Sequence, residues 1–298
     1  MATRTEPHAP LPGVTSAERT FRDVNQVCLH VVAAGDPSDP LVVLLHGFPE
    51  FWYEWYDYVD PFVEAGYRVV VPDQRGYNRS EKPAGIRPYR ITELSGDIVD
   101  LIATENRETA HVVGHDWGAA VAWDLALRHP DTVDRLGIVN VPHPTVFEKQ
   151  LRSNVTQMHK SWYMFFFQVP RLPEWQVRRN DYRFMVTAMR QGARPGAFDE
   201  TDFERYRRAW GQPGAITAML NWYRALFRHG EKPPRERVTA PTRIVWGEND
   251  RALVPEMAPR SVDYCADGSL ERFSDGTHWI PHEYPDQVAD LLLTHLGS

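Results

Sequence analysis

Two cysteines in 298 residues, Cys28 and Cys265, are too few for a disulfide framework, and they form neither a CxxC pair nor a ligand cluster. That argues against a small stapled fold and a thiolate metal site, and it suits reduced thiols in the cytoplasm. Basic charge is also short. The chain has 33 Lys and Arg against 40 Asp and Glu, a net charge of −7, so no nucleic-acid partner is expected. No stretch approaches the ~18 consecutive apolar residues that read as a membrane span, so no membrane partner is expected either. Residues 1–13 are rich in Pro and Thr and lack an apolar run, so they read not as a secretion signal but as part of a flexible arm over 1–19. There is no internal repeat and no low-complexity tract.

What the chain does have is an alternation of short apolar runs and amphipathic stretches. Val27–Val32, Leu41–Leu45, Arg68–Pro72, His111–Val113, Leu136–Asn140, Thr242–Gly247 and Leu270–Phe273 read as strands. The continuous apolar ones fit a mostly parallel sheet buried on both faces. Helices fit Ile91–Glu105, with Leu94, Ile98, Leu101 and Ile102 on one stripe, then Ala119–Leu127 and Pro285–Leu296. The rhythm stops after Asn140 for about a hundred residues rich in Trp, Tyr, Arg, Met and Phe, and Pro233-Pro234 marks its exit. The reading is therefore α/β, with a core of residues 20–140 and 236–298 and an inserted helical cap over 141–235. Aromatics clustered at Phe48–Tyr58 and Trp162–Phe167 suit either plain core or an apolar cavity.

The chemistry centres on Gly114-His115-Asp116-Trp117-Gly118. A short strand leads in and a helix with small inward residues leads out, which is the frame of an α/β-hydrolase nucleophile elbow with Asp in place of Ser. A carboxylate attacks without a base, displacing a leaving group at an sp³ carbon to give an alkyl ester. Epoxides or alkyl halides are then better substrates than esters. The bland alternative is a strand end with a helix-capping Asp. Against it stand Asp250, after the strand ending in Trp246-Gly247, and His278, 28 residues further on. Nucleophile, acid, histidine is the α/β-hydrolase order. Asp250 would orient His278, and His278 would activate water against the ester. Glu248 is the rival acid, and each residue taken alone is as readily a turn or solvated residue. Backbone N–H groups of Trp117 and of Phe48, in His46-Gly47-Phe48-Pro49, would form the oxyanion hole, each donor worth ~3–4 kcal/mol in the transition state.

Together with Asp73-Gln74-Arg75-Gly76-Tyr77 and Trp246-Gly247-Glu248-Asn249-Asp250, these motifs resemble the soluble epoxide hydrolases, from about Thr20 to the C-terminus. The resemblance covers the hydrolase domain only. It implies two cap tyrosines that hydrogen-bond the epoxide oxygen as the ring opens. Tyr163, in Ser161-Trp162-Tyr163-Met164, and Tyr223, in Asn221-Trp222-Tyr223-Arg224, stand at the similar sites; cap packing is the alternative use of each. A phenol with a pKa near ~10 can donate while neutral.

Haloalkane dehalogenases share the Asp nucleophile and the adjacent Trp, and form the alternative reading. They often place Asn after His-Gly, where this chain has Phe48. Fluoroacetate dehalogenases carry arginines just after the nucleophile, where this chain has Trp117, Gly118, Ala119 and Ala120. A catalytically silent ligand sensor would lack a triad member or a ring-opening donor, and none is missing. The expected partners are a small apolar epoxide and water, with Phe48, Trp117, Trp162, Phe165 and Phe166 as substrate-binding residues. No metal or organic cofactor is expected, and the chain would be a monomer or homodimer.

Overall fold

The computed structural model describes residues 17–298. Its strands are β1 Glu18–Val24, β2 Val27–Ala34, β3 Leu41–Leu45, β4 Arg68–Pro72, β5 Ala110–His115, β6 Val133–Val139, β7 Thr242–Gly247 and β8 Gly268–Phe273. They form one sheet in the order β1-β2-β4-β3-β5-β6-β7-β8. β1 and β2 pair antiparallel, as do β2 and β4, and every pair from β4 onward is parallel. Every residue of β3 and β4 is buried, as continuous apolar runs in the middle of a two-sided sheet require.

The helices are α1 Tyr56–Glu64, α2 Ile91–Thr104, α3 Trp117–Arg128, α4 Pro144–Ser153, α5 Val155–Lys160, α6 Trp162–Phe166, α7 Leu172–Gly192, α8 Glu200–Trp210, α9 Ala215–His229, α10 Met257–Val262, α11 Ile280–Glu283 and α12 Pro285–Leu296. α2 packs with α3 and α1 with α12 against the sheet. α4 to α9 all fall between β6 and β7, where the strand rhythm lapses. α7 breaks at Arg179–Tyr182, with Asn180, Asp181 and Tyr182 at φ of 52°, 54° and 59°.

The arm read over residues 1–19 falls outside the described residues except at its end, and there it needs correction, because Glu18 and Arg19 already belong to β1. That strand pairs only with β2 and leaves residues such as Arg22 partly exposed, so its polar composition hid it.

Register brings the functional loops together. Leu45 pairs with Gly114 and Gly247 with Phe273. The loop after β3 therefore lies beside the end of β5, and the loop after β7 beside that after β8. These are carboxyl ends of parallel strands, where open α/β sheets build their sites.

Candidate active site

Asp116 sits between β5 and α3 at φ 47° and ψ −121°, a strained conformation for a residue with a Cβ. Its small neighbours follow from close approach. A Cβ on Gly114 would lie 2.4 Å from the Gly118 carbonyl, and one on Gly118 would lie 2.0 Å from the Leu45 oxygen. A Cβ on Gly47 would meet that of Asp116 at 2.4 Å. The glycines thus press the β3 loop onto the elbow.

This contact brings the Phe48 N–H to Asp116 Oδ1, which accepts its hydrogen bond at 2.7 Å. Trp117 opens α3, so its N–H is one of the donors left without an intrahelical acceptor. The other carboxylate oxygen, Oδ2, lies 3.4 Å from His278 Nε2, and His278 Nδ1 lies 2.6 Å from Asp250 Oδ2. Asp250 Oδ1 accepts the N–H groups of Ala252 and Leu253 at 2.6 and 2.9 Å. Asp250 is buried, whereas Glu248 extends to Arg272. The structure therefore brings Asp116, His278 and Asp250 into one chain of contacts and leaves the rival acid outside it.

Electrostatics follow from that geometry. Burial opposes the charge on Asp116, yet His278 and the Phe48 N–H outweigh it and hold the carboxyl below its ordinary value. Asp250 is lowered likewise, with burial again opposing and His278 and Asn140 prevailing. Burial disfavours the His278 cation too, but two flanking carboxylates raise it well above the ordinary histidine value. The two carboxylates and the imidazole thus each favour the charged form of the other.

Asn140 is a participant that sequence reasoning missed. Its Nδ2 donates to Asp250 Oδ2 at 2.9 Å and its Oδ1 accepts the Gly247 N–H at 2.8 Å. It follows the end of β6 directly, so the strand-end rule that selected Asp250 applied equally to it.

Above Asp116 lies an aromatic cage. The Tyr223 ring centroid is 5.2 Å from Phe48, 5.1 Å from Trp117, 5.0 Å from Phe167 and 5.9 Å from Tyr163. Burial first, and the Asp116 charge second for Tyr163, push both phenols upward; for Tyr223 burial is followed by Tyr163 and then Asp116. Both phenols are therefore neutral near pH 7. Phe167, from the aromatic cluster at 162–167, and Trp222, 5.5 Å from Trp117, complete the cage; neither is among the substrate residues expected from the sequence.

Two expected substrate residues lie outside this cage. Trp162 is 54% exposed and Phe165 50% exposed. Trp162 lines a separate cleft of about 420 Å³ with Gln176, Arg179 and Arg183, and Phe165 packs on exposed Phe227. Their place on α6 explains it: residues 163, 164 and 167 share the inward face, and 162 and 165 lie on the other. Phe166 is half-buried between Trp162 and Phe167.

Behind the site, Glu50, Glu54 and His115 offer ligand-type atoms all within 4.8 Å of one another, the one such group of three among the described residues. No helix among them is long and apolar enough to cross a membrane.

The profile of the α/β hydrolase fold family matches residues 40–285. The chain is 48% identical over 280 residues to the AB hydrolase superfamily protein YfhM of Bacillus subtilis, covering 93% of this chain and 97% of that one. It is 36% identical to epoxide hydrolase 1 of Caenorhabditis elegans over 92% and 69% of the two chains. Among solved structures, a Bacillus megaterium epoxide hydrolase in complex with an inhibitor superposes with a TM-score of 0.85 at 31% identity, over 93% of this chain and 100% of that one.

Proposed function

Because this chain belongs to the epoxide hydrolase family of the α/β hydrolase fold, we propose that it opens a small apolar epoxide with water to a vicinal diol, through a covalent ester on Asp116. The supporting observation is the meeting, in one buried aromatic cage, of an ionised carboxylate and two neutral phenols, Tyr163 and Tyr223. A halide needs no proton donor as it departs, whereas an epoxide oxygen does. The cap over 141–235 carries both phenols.

Asp116 Oδ1 is already held by the Phe48 N–H, so Oδ2 is the attacking oxygen and Oδ1 stays the carbonyl. Attack on a ring carbon breaks one C–O bond and leaves an alkoxide hydrogen-bonded to the two phenols. The same step removes the Asp116 charge and with it one of the two anions that kept a proton on His278. That proton passes to the alkoxide oxygen, leaving a hydroxyalkyl ester and a neutral imidazole. Neutral His278, oriented by Asp250, then takes a proton from water as the hydroxide adds to the Asp116 carbonyl carbon. The Phe48 and Trp117 N–H groups hold the oxyanion. Collapse breaks the ester C–O bond, and the departing oxygen takes the proton of the new Asp116 carboxylic acid. The diol leaves with Asp116 again a carboxylate beside the imidazolium, so the cycle closes without an outside acid or base.

The test pairs diol formation from aryl and aliphatic epoxides with halide release from chloro- and bromoalkanes, in the wild type and in His278→Gln. The expected result is diol without halide in the wild type. In the variant, the peptide bearing Asp116 should gain the mass of the epoxide. Halide without diol, or turnover with no adduct in the variant, would overturn the reading.

A further inference from the structure

Glu50, Glu54 and His115 lie behind the oxyanion loop, each with a relative exposure of 2% or less. Glu50 Oε1 is well supplied, accepting from His282 Nε2 at 2.7 Å and from the Tyr206 hydroxyl. Glu54 Oε2 accepts the Gly47 N–H at 2.7 Å. Three atoms lack an assigned hydrogen bond: Glu50 Oε2, Glu54 Oε1 and His115 Nδ1. They face one another, with His115 Nδ1 2.8 Å from Glu54 Oε1 and 3.8 Å from Glu50 Oε2.

The protons can be placed from the partners. His115 Nε2 lies 2.8 Å from the His278 carbonyl oxygen. A carbonyl only accepts, so Nε2 carries hydrogen. A neutral His115 then has a bare Nδ1, and two lone pairs do not rest 2.8 Å apart without a proton between them. We propose that Glu54 is a positioning residue that works as a neutral carboxylic acid, its Oε1 proton shared with His115 and Glu50 while its Oε2 anchors Gly47. The arrangement ties the oxyanion loop to the backbone of His278 without setting a second negative charge behind the place where the oxyanion forms.

The surrounding groups agree with this. Burial and the Glu50 charge raise Glu54 well above the ordinary glutamate value, against the opposing pull of His282. Burial and His278 bring His115 down to about 4. Glu50 is the ionised member: burial opposes its charge, but His282, itself raised, more than offsets that. Tyr58 and Tyr206 also face the cluster, and burial keeps both phenols neutral.

The inference rests on the ester mechanism for its kinetic part, so the test has a part that needs no substrate. The infrared difference spectrum between wild type and Glu54→Gln should show the C=O stretch of a protonated carboxyl in the wild type only; its absence would overturn the proposal. Gln is a neutral isostere of the acid, with an NH2 group where the acid has its hydroxyl and a carbonyl acceptor. Glu54→Gln should therefore keep ester hydrolysis near the wild-type rate, whereas Glu54→Leu, by loosening the oxyanion loop, should slow it about tenfold or more with alkylation less affected. Equal loss in both variants would mean that the charge is required, and no loss in either that Glu54 positions nothing. If the Leu variant fails to fold, the infrared band and the Gln variant's rate decide. One equivalent of a divalent metal in the purified wild type would also overturn it, by assigning the same three atoms to a cation.

Discussion

Individual side chains carry this site through their protonation states, and Asn140 is where that can be probed at modest cost. Asp250 has a folded pKa below its ordinary 3.8, with burial opposing the shift and His278 and Asn140 producing it. A group depressed in the folded state contributes stability that is complete above the unfolded value and lost as pH falls through the folded one. Asn140→Ala takes one donor from Asp250 and also leaves the buried Gly247 N–H without its acceptor, for about 1–3 kcal/mol from the orphaned group. Urea denaturation across pH should show the variant less stable throughout. The gap should be widest near neutrality and narrow as pH falls below 3.8, where Asp250 is losing its charge in both proteins. A gap independent of pH would mean that Asn140 supports Gly247 alone. His278 has the opposite sign. Its folded value is raised, so its contribution is complete below 6.5 and lost as pH rises through the folded value.

Among the elements, strands buried on both faces and helices with one apolar stripe, such as α2 and α12, are legible, whereas the polar edge strand and the aromatic-rich helices are not. Leu41–Leu45, Arg68–Pro72 and Thr242–Gly247 appear as strands with the bounds read from their apolar runs, because a central parallel strand leaves no polar face to interrupt the pattern. β1 was missed because its sequence, Glu-Arg-Thr-Phe-Arg-Asp-Val, is mostly charged or polar, as an edge strand tolerates. α1 was read only as part of an aromatic cluster, with Pro61 inside it. The elbow was readable because its steric demand fixes residue types, but the aromatic run at 162–167 was not, since aromatics suit either face of a cap helix. α6 divides them by helical spacing: Met164 and Phe167 are buried, while Trp162 and Phe165 are exposed. Trp162→Ala and Phe165→Ala should therefore leave kcat/KM for a small aryl epoxide within about twofold, each being solvent-facing. Phe167→Ala opens the cage wall next to Tyr223 and should lower kcat/KM by about tenfold or more, as expected for loss of a large buried contact and its positioning. Steady-state kinetics on the three variants check this, and a larger loss at Trp162 than at Phe167 would reverse the assignment of faces.

For the whole molecule, the question is whether the helices between β6 and β7 are a separable lid or part of one folding unit. Their polar contacts run to the loops that hold the site. Gln157 donates to the Ala252 carbonyl at 2.9 Å and accepts from the Val254 N–H at 3.0 Å, next to Asp250. Lys160 reaches the Asp250 and Leu253 carbonyls. Trp210 Nε1 donates to Pro49 at 2.6 Å and Trp222 Nε1 to Arg75 at 3.0 Å. Each indole or amide is buried, so separating these helices from the sheet would exchange several well-formed hydrogen bonds for bonds to water, at about 0.5–1.5 kcal/mol each. It would also expose large aromatic faces that now pack against the core. With contacts spread over the loops after β3, β4 and β7, the two parts should unfold together. In urea, tryptophan fluorescence, which reports on indoles in both the inserted helices and the sheet domain, should trace the same transition as far-UV circular dichroism. Two separated transitions would mean that the cap melts first, and that the loop carrying Asp250 keeps its shape without Gln157 and Lys160.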